Sequence, residues 1–235
     1  MQSLIKFLGV GGAFNPELGN SSAIVNLNGQ NILLDCGYTV YGRICQLGIA
    51  KQIDFVLITH LHNDHVGSLS TYIYHYTMID KLGKLKIIVA SKTFEESLRG
   101  YLGYSIPHID DFVDFIELSR FKEIKAYDTY GLHVADYQTY GFEFNINGQR
   151  YLYSGDLNDA TFVKNVMKPK KDDIIFHEVD FFKEATAHTF YKNLEKHLGH
   201  FKVYGYHNNP KYKPSDCQIP LIAERKEFLW GGVLP

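Results

Sequence analysis

The stretch Ile58-Thr59-His60-Leu61-His62-Asn63-Asp64-His65-Val66-Gly67 decides how the rest of the chain is read, because four metal-binding side chains fall within six positions after an apolar run. In extended backbone successive side chains alternate sides, so His60 and His62 project toward one point. Asp64 and His65 enter the following helix and face a second. Imidazole and carboxylate are ligands that zinc, manganese and iron accept, and two adjacent ions can clamp both the attacking and the leaving oxygen of a displacement. A histidine-rich surface loop is the plainer reading. This order of ligand types, closed by a glycine, fits a paired metal site better.

Outward from this loop, the chain reads as alternating strands and helices. Leu4 to Val10 is a buried strand ending in Gly9-Val10-Gly11-Gly12, which lacks the spacing of a dinucleotide-binding turn and is assigned to a tight turn. Ser22 to Leu27 and Asn31 to Asp35 form a hairpin across Asn28-Gly29, and Tyr140 to Ile146 and Arg150 to Ser154 form another across Asn147-Gly148. Tyr41 to Leu47 carries helical periodicity stopped by Gly48, and Phe55 to Ile58 is the short strand that delivers the metal loop. A helix follows through Val66, Leu69 and Ile73, then strands over Leu85 to Ala90, Phe112 to Leu118 and Ile124 to Thr129. Thr93-Phe94-Glu95-Glu96 has a capping-box pattern that opens a helix to about Arg99, broken by Gly100-Tyr101-Leu102-Gly103-Tyr104. Thr161 to Met167 and the segment Phe190, Leu194, Leu198 read as short helices; Ile174 to Phe176 and Lys202 to Tyr206 read as strands. Periodicity leaves the tail, Ile219 to Leu229, open between an edge strand and a helix.

Composition narrows the function. The 235 residues, 45% hydrophobic, suffice for one domain over 1–235. A formal net charge of −2 offers no overall attraction to a polyanion, which disfavours a large RNA substrate or a stable nucleic-acid partner. Cys36, Cys45 and Cys217 are odd in number and scattered, as in a reducing compartment, so a cytoplasmic protein is expected. The apolar start is too short for a signal segment or a membrane span.

In its motifs the chain resembles the metallo-β-lactamase superfamily, whose HxHxDH pattern is met by His60, His62, Asp64 and His65. Further landmarks follow in order: Gly9 to Gly12, Leu34-Asp35-Cys36-Gly37, His133, Ser154-Gly155-Asp156, His177-Glu178 and His207. The layout is most similar to the tRNA 3′-processing endonucleases and to the phage anti-Pycsar proteins that hydrolyse cyclic nucleotides. The resemblance implies an α/β fold, an αββα sandwich of two mixed sheets flanked by helices. It implies two divalent ions, zinc or manganese: His60, His62 and His133 at one, Asp64, His65 and His207 at the other, with Asp156 bridging them. Asp64 then orients a water, and Glu178 with His188 forms a proton-donating pair. Asp35 supports the site from behind, although capping the segment beyond Gly37 explains it as well. His188 has a second reading too, as the start of its helix. The resemblance also implies a homodimer in which a neighbouring subunit helps enclose the pocket, and a host-cytoplasmic location if the chain is phage-encoded.

The tRNA-processing relatives carry a long basic arm in the interval that here spans only the 22 residues 134–155, nearly all taken by the second hairpin. The expected substrate is therefore small, and the anti-Pycsar resemblance implies that it is a 3′,5′-cyclic nucleotide, hydrolysed to a linear monophosphate. A tRNA endonuclease, another hydrolase on the same fold, and a binding module without catalysis are the alternatives. Tyr101 and Tyr104 are candidates for stacking a base, against the background of 17 tyrosines. His75 and His108 have no ligand-like neighbours, and His197 and His200 lie on or just after a polar helical face, so all four are read as ordinary surface or core residues.

Overall fold

The computed structural model describes residues 4–184 and 186–235. Both Asn-Gly pairs take left-handed φ at both positions, +52° and +84° at Asn28-Gly29 and +51° and +79° at Asn147-Gly148, the twist a two-residue hairpin requires. Each hairpin, together with one further antiparallel strand beside it, forms the antiparallel part of one sheet. The first sheet takes strands β1 (Ile5–Gly9), β2 (Ser22–Leu27), β3 (Gln30–Leu34), β4 (Phe55–Leu57), β5 (Leu85–Val89) and β6 (Val113–Glu117), in that spatial order. From β3 onward its pairings are parallel. The second sheet takes β7 (Ile124–Asp128), β8 (Tyr140–Ile146), β9 (Gln149–Tyr153), β10 (Ile174–Glu178) and β11 (Lys202–Tyr206), with β9, β10 and β11 parallel. Each sheet is contiguous in sequence, so the sandwich arises from two successive units folding face to face.

Aromatic side chains fill the space between the sheets. Phe7 of β1 meets Phe176 of β10 at 5.2 Å and Tyr206 of β11 at 5.7 Å between ring centroids. All three are fully buried, and each such burial contributes roughly 1.5–3 kcal/mol. The outer face of the first sheet is covered by α1 (Val40–Leu47), α3 (Leu69–Tyr74) and α4 (Lys92–Gly103), the short α2 (Asn63–Val66) lying at the end of β4. Against the outer face of the second sheet, α5 (Ala160–Phe162) through Ala160 and α6 (Tyr191–Leu198) through Leu194 and Leu198 join one cluster with Leu152, Ile175 and Val203. This is the αββα sandwich of two mixed sheets.

Three local expectations change. The cap of α4 is Ser91, whose hydroxyl accepts from Phe94 N at 3.1 Å, so the Thr93-to-Glu96 pattern lies inside the helix. The helix also runs through Gly100 to Gly103 instead of breaking there. Burial of Leu98 and Leu102 outweighs a cost of about 1 kcal/mol per interior glycine. The tail is neither strand nor α-helix: it forms 3₁₀ turns at Ile222–Glu224, Lys226–Phe228 and Trp230–Gly232, tied down by single bridges Leu221 to Gly205 and Leu229 to Phe7.

The junction between β3 and the metal loop leaves no room for a side chain. A methyl group on Gly37 would sit 1.9 Å from the carbonyl oxygen of Asp64. Gly37→Ala is expected to lower the unfolding free energy by about 1–3 kcal/mol, read as a fall in the urea midpoint at unchanged slope. A midpoint equal to that of the unsubstituted chain would contradict this contact.

Candidate metal centre

Parallel strands deliver the site. His60 to His65 follow β4, Asp35 follows β3, Asp156 follows β9, Glu178 closes β10 and His207 follows β11. Carboxyl ends of parallel strands are where open α/β sheets place ligands, and here the ends from both sheets converge.

Two sets of ligand atoms result. His60, His62 and His133 form one, and Asp64, His65, Asp156 and His207 the other, each with its ligand atoms within 4.8 Å of one another. In the first, His62 Nδ1 lies 3.1 Å from His60 Nε2 and 3.1 Å from His133 Nε2. One ring nitrogen cannot satisfy two others by hydrogen bonding, whereas nitrogens around a tetrahedral zinc at about 2.0–2.1 Å lie roughly 3.3 Å apart. In the second, His207 Nε2 lies 3.1 Å from Asp64 Oδ2. Asp156 stands between the sets: its Oδ2 is 3.4 Å from His65 Nε2, 3.4 Å from His207 Nε2, 3.8 Å from His133 Nε2 and 3.9 Å from His60 Nε2. Asp156 Oδ1 and His65 Nε2 are buried without a hydrogen-bond partner. Such orphaned atoms, one acidic and one basic, fit a bound cation.

A further layer of contacts orients the rings. His65 Nδ1 donates to Asp35 Oδ2 at 2.8 Å, and His133 Nδ1 donates to the Ala187 carbonyl at 2.8 Å, which turns each Nε2 toward the cluster. Thr59 completes the layer. Its hydroxyl donates to Asp35 at 2.9 Å and lies 2.9 Å from His60 Nδ1, so His60 and His65 are both referenced to one carboxylate. Asp35 is thus a support for the cluster and not a helix cap. Burial opposes ionisation of Asp156, yet the His207 and His65 imidazoles hold its carboxyl well below the usual range. Asp64 is held low in the same way against its own burial, through hydrogen bonds to His207 and His65.

Beside the cluster, His188 Nδ1 stands 3.3 Å from Glu178 Oε2, an ion-pair distance. Glu178 Oε1 accepts from Thr189 N at 2.7 Å, which fixes the fully buried carboxylate. Burial pulls the His188 pKa down, but the Glu178 charge outweighs it and lifts the value to about 9. The imidazole is 5.0 Å from both the His133 and His207 rings, centroid to centroid, so the protonated group faces both sets. All of this opens into a cleft of about 800 Å³, within the usual size of a small-molecule site.

Residues 3–226 match the family described as Anti-Pycsar protein Apyc1. The chain belongs to the anti-Pycsar Apyc1 family. Members of that name from Paenibacillus harenae and from Bacillus phage BSP38 are similar to it. The first is 28% identical over 206 residues, 81% of this chain and 82% of the relative; the second is 33% identical over 132 residues, 54% and 50%. Among solved structures, the metallo-β-lactamase fold protein YhfI from Bacillus subtilis superposes with a TM-score of 0.65 at 16% identity, covering 86% of this chain and 85% of that one. The short form of human tRNase Z superposes at 0.64 and 19% identity, covering 94% and 96%. At these identities the two structures speak to the fold.

This Apyc1 family member brings together His60, His62, Asp64, His65, His133, Asp156, His207, Glu178 and His188. It does not bring in Tyr101 or Tyr104. Tyr101 lies within α4 and donates its hydroxyl to Asn63 Oδ1 at 2.9 Å, bracing the metal loop from outside. Tyr104 ends the helix, 97% exposed, and neither residue lines the cleft. His177, adjacent to Glu178, points to the opposite face of β10, as strand alternation requires, and its Nδ1 meets the Glu178 carbonyl. Sequence reading overlooked Thr59, although its place directly before His60 was a usable signal. It also overlooked Phe14, Phe182 and Tyr212 of the cleft wall, whose partners are remote in sequence.

Among the described residues no helix is long and apolar enough to cross a membrane. Alanine at His60, Asp64 or Asp156 is expected to lower the transition metal retained per chain after dialysis, measured by inductively coupled plasma mass spectrometry. Undiminished content in all three variants would overturn the reading of the cluster. Asp35→Asn is expected to weaken metal affinity about 10–100-fold, as losses of outer partners do.

Proposed function

We propose that this protein is a di-metal phosphodiesterase that hydrolyses 3′,5′-cyclic nucleotides to linear monophosphates, and so counters a defence signalled by cyclic nucleotides. The observation that carries the reading is the position of Asp156, one carboxylate oxygen within 3.9 Å of four imidazoles from two ligand sets, in a member of the anti-Pycsar Apyc1 family. On this reading His60, His62 and His133 would hold one ion, Asp64, His65 and His207 the other, with Asp156 placed to serve both. Zinc suits the histidine-rich set, and manganese the second as well. When bound, two such cations would supply Lewis-acid chemistry for activating a water and offsetting charge on the phosphoryl oxygens.

The chain's own side chains do the rest. Asp64, ionised and anchored by His207, orients the attacking water through its carboxylate. His188 directs Nδ1 at Glu178, which leaves its Nε2–H to protonate the departing ribose oxygen. The 134–155 interval supports a small substrate. Once β8 and β9 are placed it contains only the short segment 134–139 before them, the two-residue turn between and Ser154-Gly155 after them, with no length for an arm that grips tRNA.

Incubating the metal-loaded protein with cAMP, cGMP, cCMP, cUMP and a precursor tRNA, each separately, should give linear monophosphates and leave the RNA intact. Cleavage of the RNA with all four cyclic nucleotides untouched would replace this function by an endonuclease. Because protonated His188 is the acid, kcat/KM should fall as pH rises through its pKa, about 9 without cations and lower when they share the cleft. Glu178→Gln removes the charge that sustains the imidazolium and should move this alkaline limb downward by on the order of one pH unit. A limb that stays in place would exclude His188 as the acid.

A further inference from the structure

Four large apolar side chains that folding leaves exposed, Phe14, Val134, Phe182 and Tyr212, line the one cleft that also holds the metal cluster. Exposed aromatics gathered in a ligand-sized cavity point to something planar that covers them. Phe182 and Tyr212 come from segments far apart in sequence, yet their ring centroids are 5.8 Å apart with planes inclined at 57°. A flat base stacked on one ring meets the other at an angle, an arrangement that ring quadrupoles favour.

Both rings sit on backbone that is already pinned. Asp180 accepts from Phe182 N at 2.6 Å, and Asp180 N itself donates to the Thr189 carbonyl at 2.8 Å, beside His188. Tyr212 closes the turn Pro210–Tyr212, capped by Asn209 Oδ1 accepting from Lys211 N at 3.0 Å, two residues after His207. Each ring therefore has a short covalent path to a residue of the reaction centre. Preorganised platforms of this kind add affinity by cutting the ordering cost of binding.

We infer that Phe182 and Tyr212 form the nucleobase platform of this protein, holding the base by stacking while the phosphate lies at the histidine–aspartate cluster. The inference rests on the cyclic-nucleotide reading and adds to it which residues take the base and how. Stacking uses the π-face that every base has, so the platform accepts purines and pyrimidines alike.

The test uses the metal-loaded full chain and its Phe182→Ala/Tyr212→Ala variant. Both positions are about half exposed, so the variant folds as the parent does. Substrates are the four cyclic nucleotides and ribose 3′,5′-cyclic phosphate lacking a base. The variant should raise KM about 10-fold or more on all four nucleotides at little change in kcat, as for the loss of base stacking, and leave the base-free compound unaffected. In stopped flow, 2-aminopurine riboside 3′,5′-cyclic monophosphate should be quenched on binding the parent and not the variant. Tyr212→Phe, which keeps the ring, should retain KM and quenching. An unchanged KM, an equal loss on the base-free compound, or a loss confined to one base would overturn the platform. The parent reaction is judged separately: no turnover of any cyclic nucleotide, with quenching that the double substitution abolishes, removes the proposed reaction and keeps the platform. Turnover with quenching that survives the double substitution does the reverse.

Discussion

A single buried carboxylate, Asp35, holds the site together. It is fully enclosed and accepts from the Thr59 amide at 2.7 Å, the Thr59 hydroxyl at 2.9 Å and His65 Nδ1 at 2.8 Å. These bonds join the end of β3 to the loop after β4 and aim the His65 ring. Burial pushes the Asp35 carboxyl up, and His65 and Thr59 pull against that. Removing one partner from a buried ionic network of this kind costs about 3–5 kcal/mol, because the other is left uncompensated. Asp35 itself takes a left-handed φ of +61°, a conformation Asp tolerates better than most residues, and this turns its side chain back beneath the metal loop.

Around that anchor the sandwich serves as a positioning device. Each sheet contributes parallel strands whose carboxyl ends meet at one edge, so the first sheet supplies His60 to His65 and the second Asp156, Glu178 and His207. Face-to-face burial of Phe7 against Phe176 and Tyr206 sets the distance between those edges. Interiors packed like crystals transmit such spacing without slack. His207 adds a constraint of its own: φ is +63°, and its amide donates to the Val10 carbonyl at 2.8 Å, tying the last ligand-type residue to the end of β1.

Much of this was legible because the relevant signals are local. The alternation of His60 and His62, the two Asn-Gly hairpins and the apolar strands depend on neighbours within a few residues; the structure bears out both hairpins, and with them the two mixed sheets that the family resemblance implies. The last turn of α4 was read wrongly because glycine propensity is a local quantity, while burial of Leu98 and Leu102 comes from the whole first sheet. The stacking tyrosines were misplaced for the same reason. Tyr101 looked like a loop residue, but continuation of the helix turns its hydroxyl onto Asn63.

By itself the sequence determined the inventory: which side chains are able to bind metal, which of them share a strand end, and that the interval between His133 and Asp156 is short. Backbone period and residue chemistry suffice for these, since they need no knowledge of what faces what. Only the tertiary structure decided that Asp156 lies among four imidazoles, that Thr59 links His60 to Asp35, and that Phe182 and Tyr212 share a wall of the cleft. Thr59 and Asp35 meet beyond the paired strands β3 and β4 of one sheet, whereas the other pairings join residues from opposite sheets or distant loops. Their distances are set by how the two sheets bury their aromatic faces, a property of the packed molecule and not of any one segment.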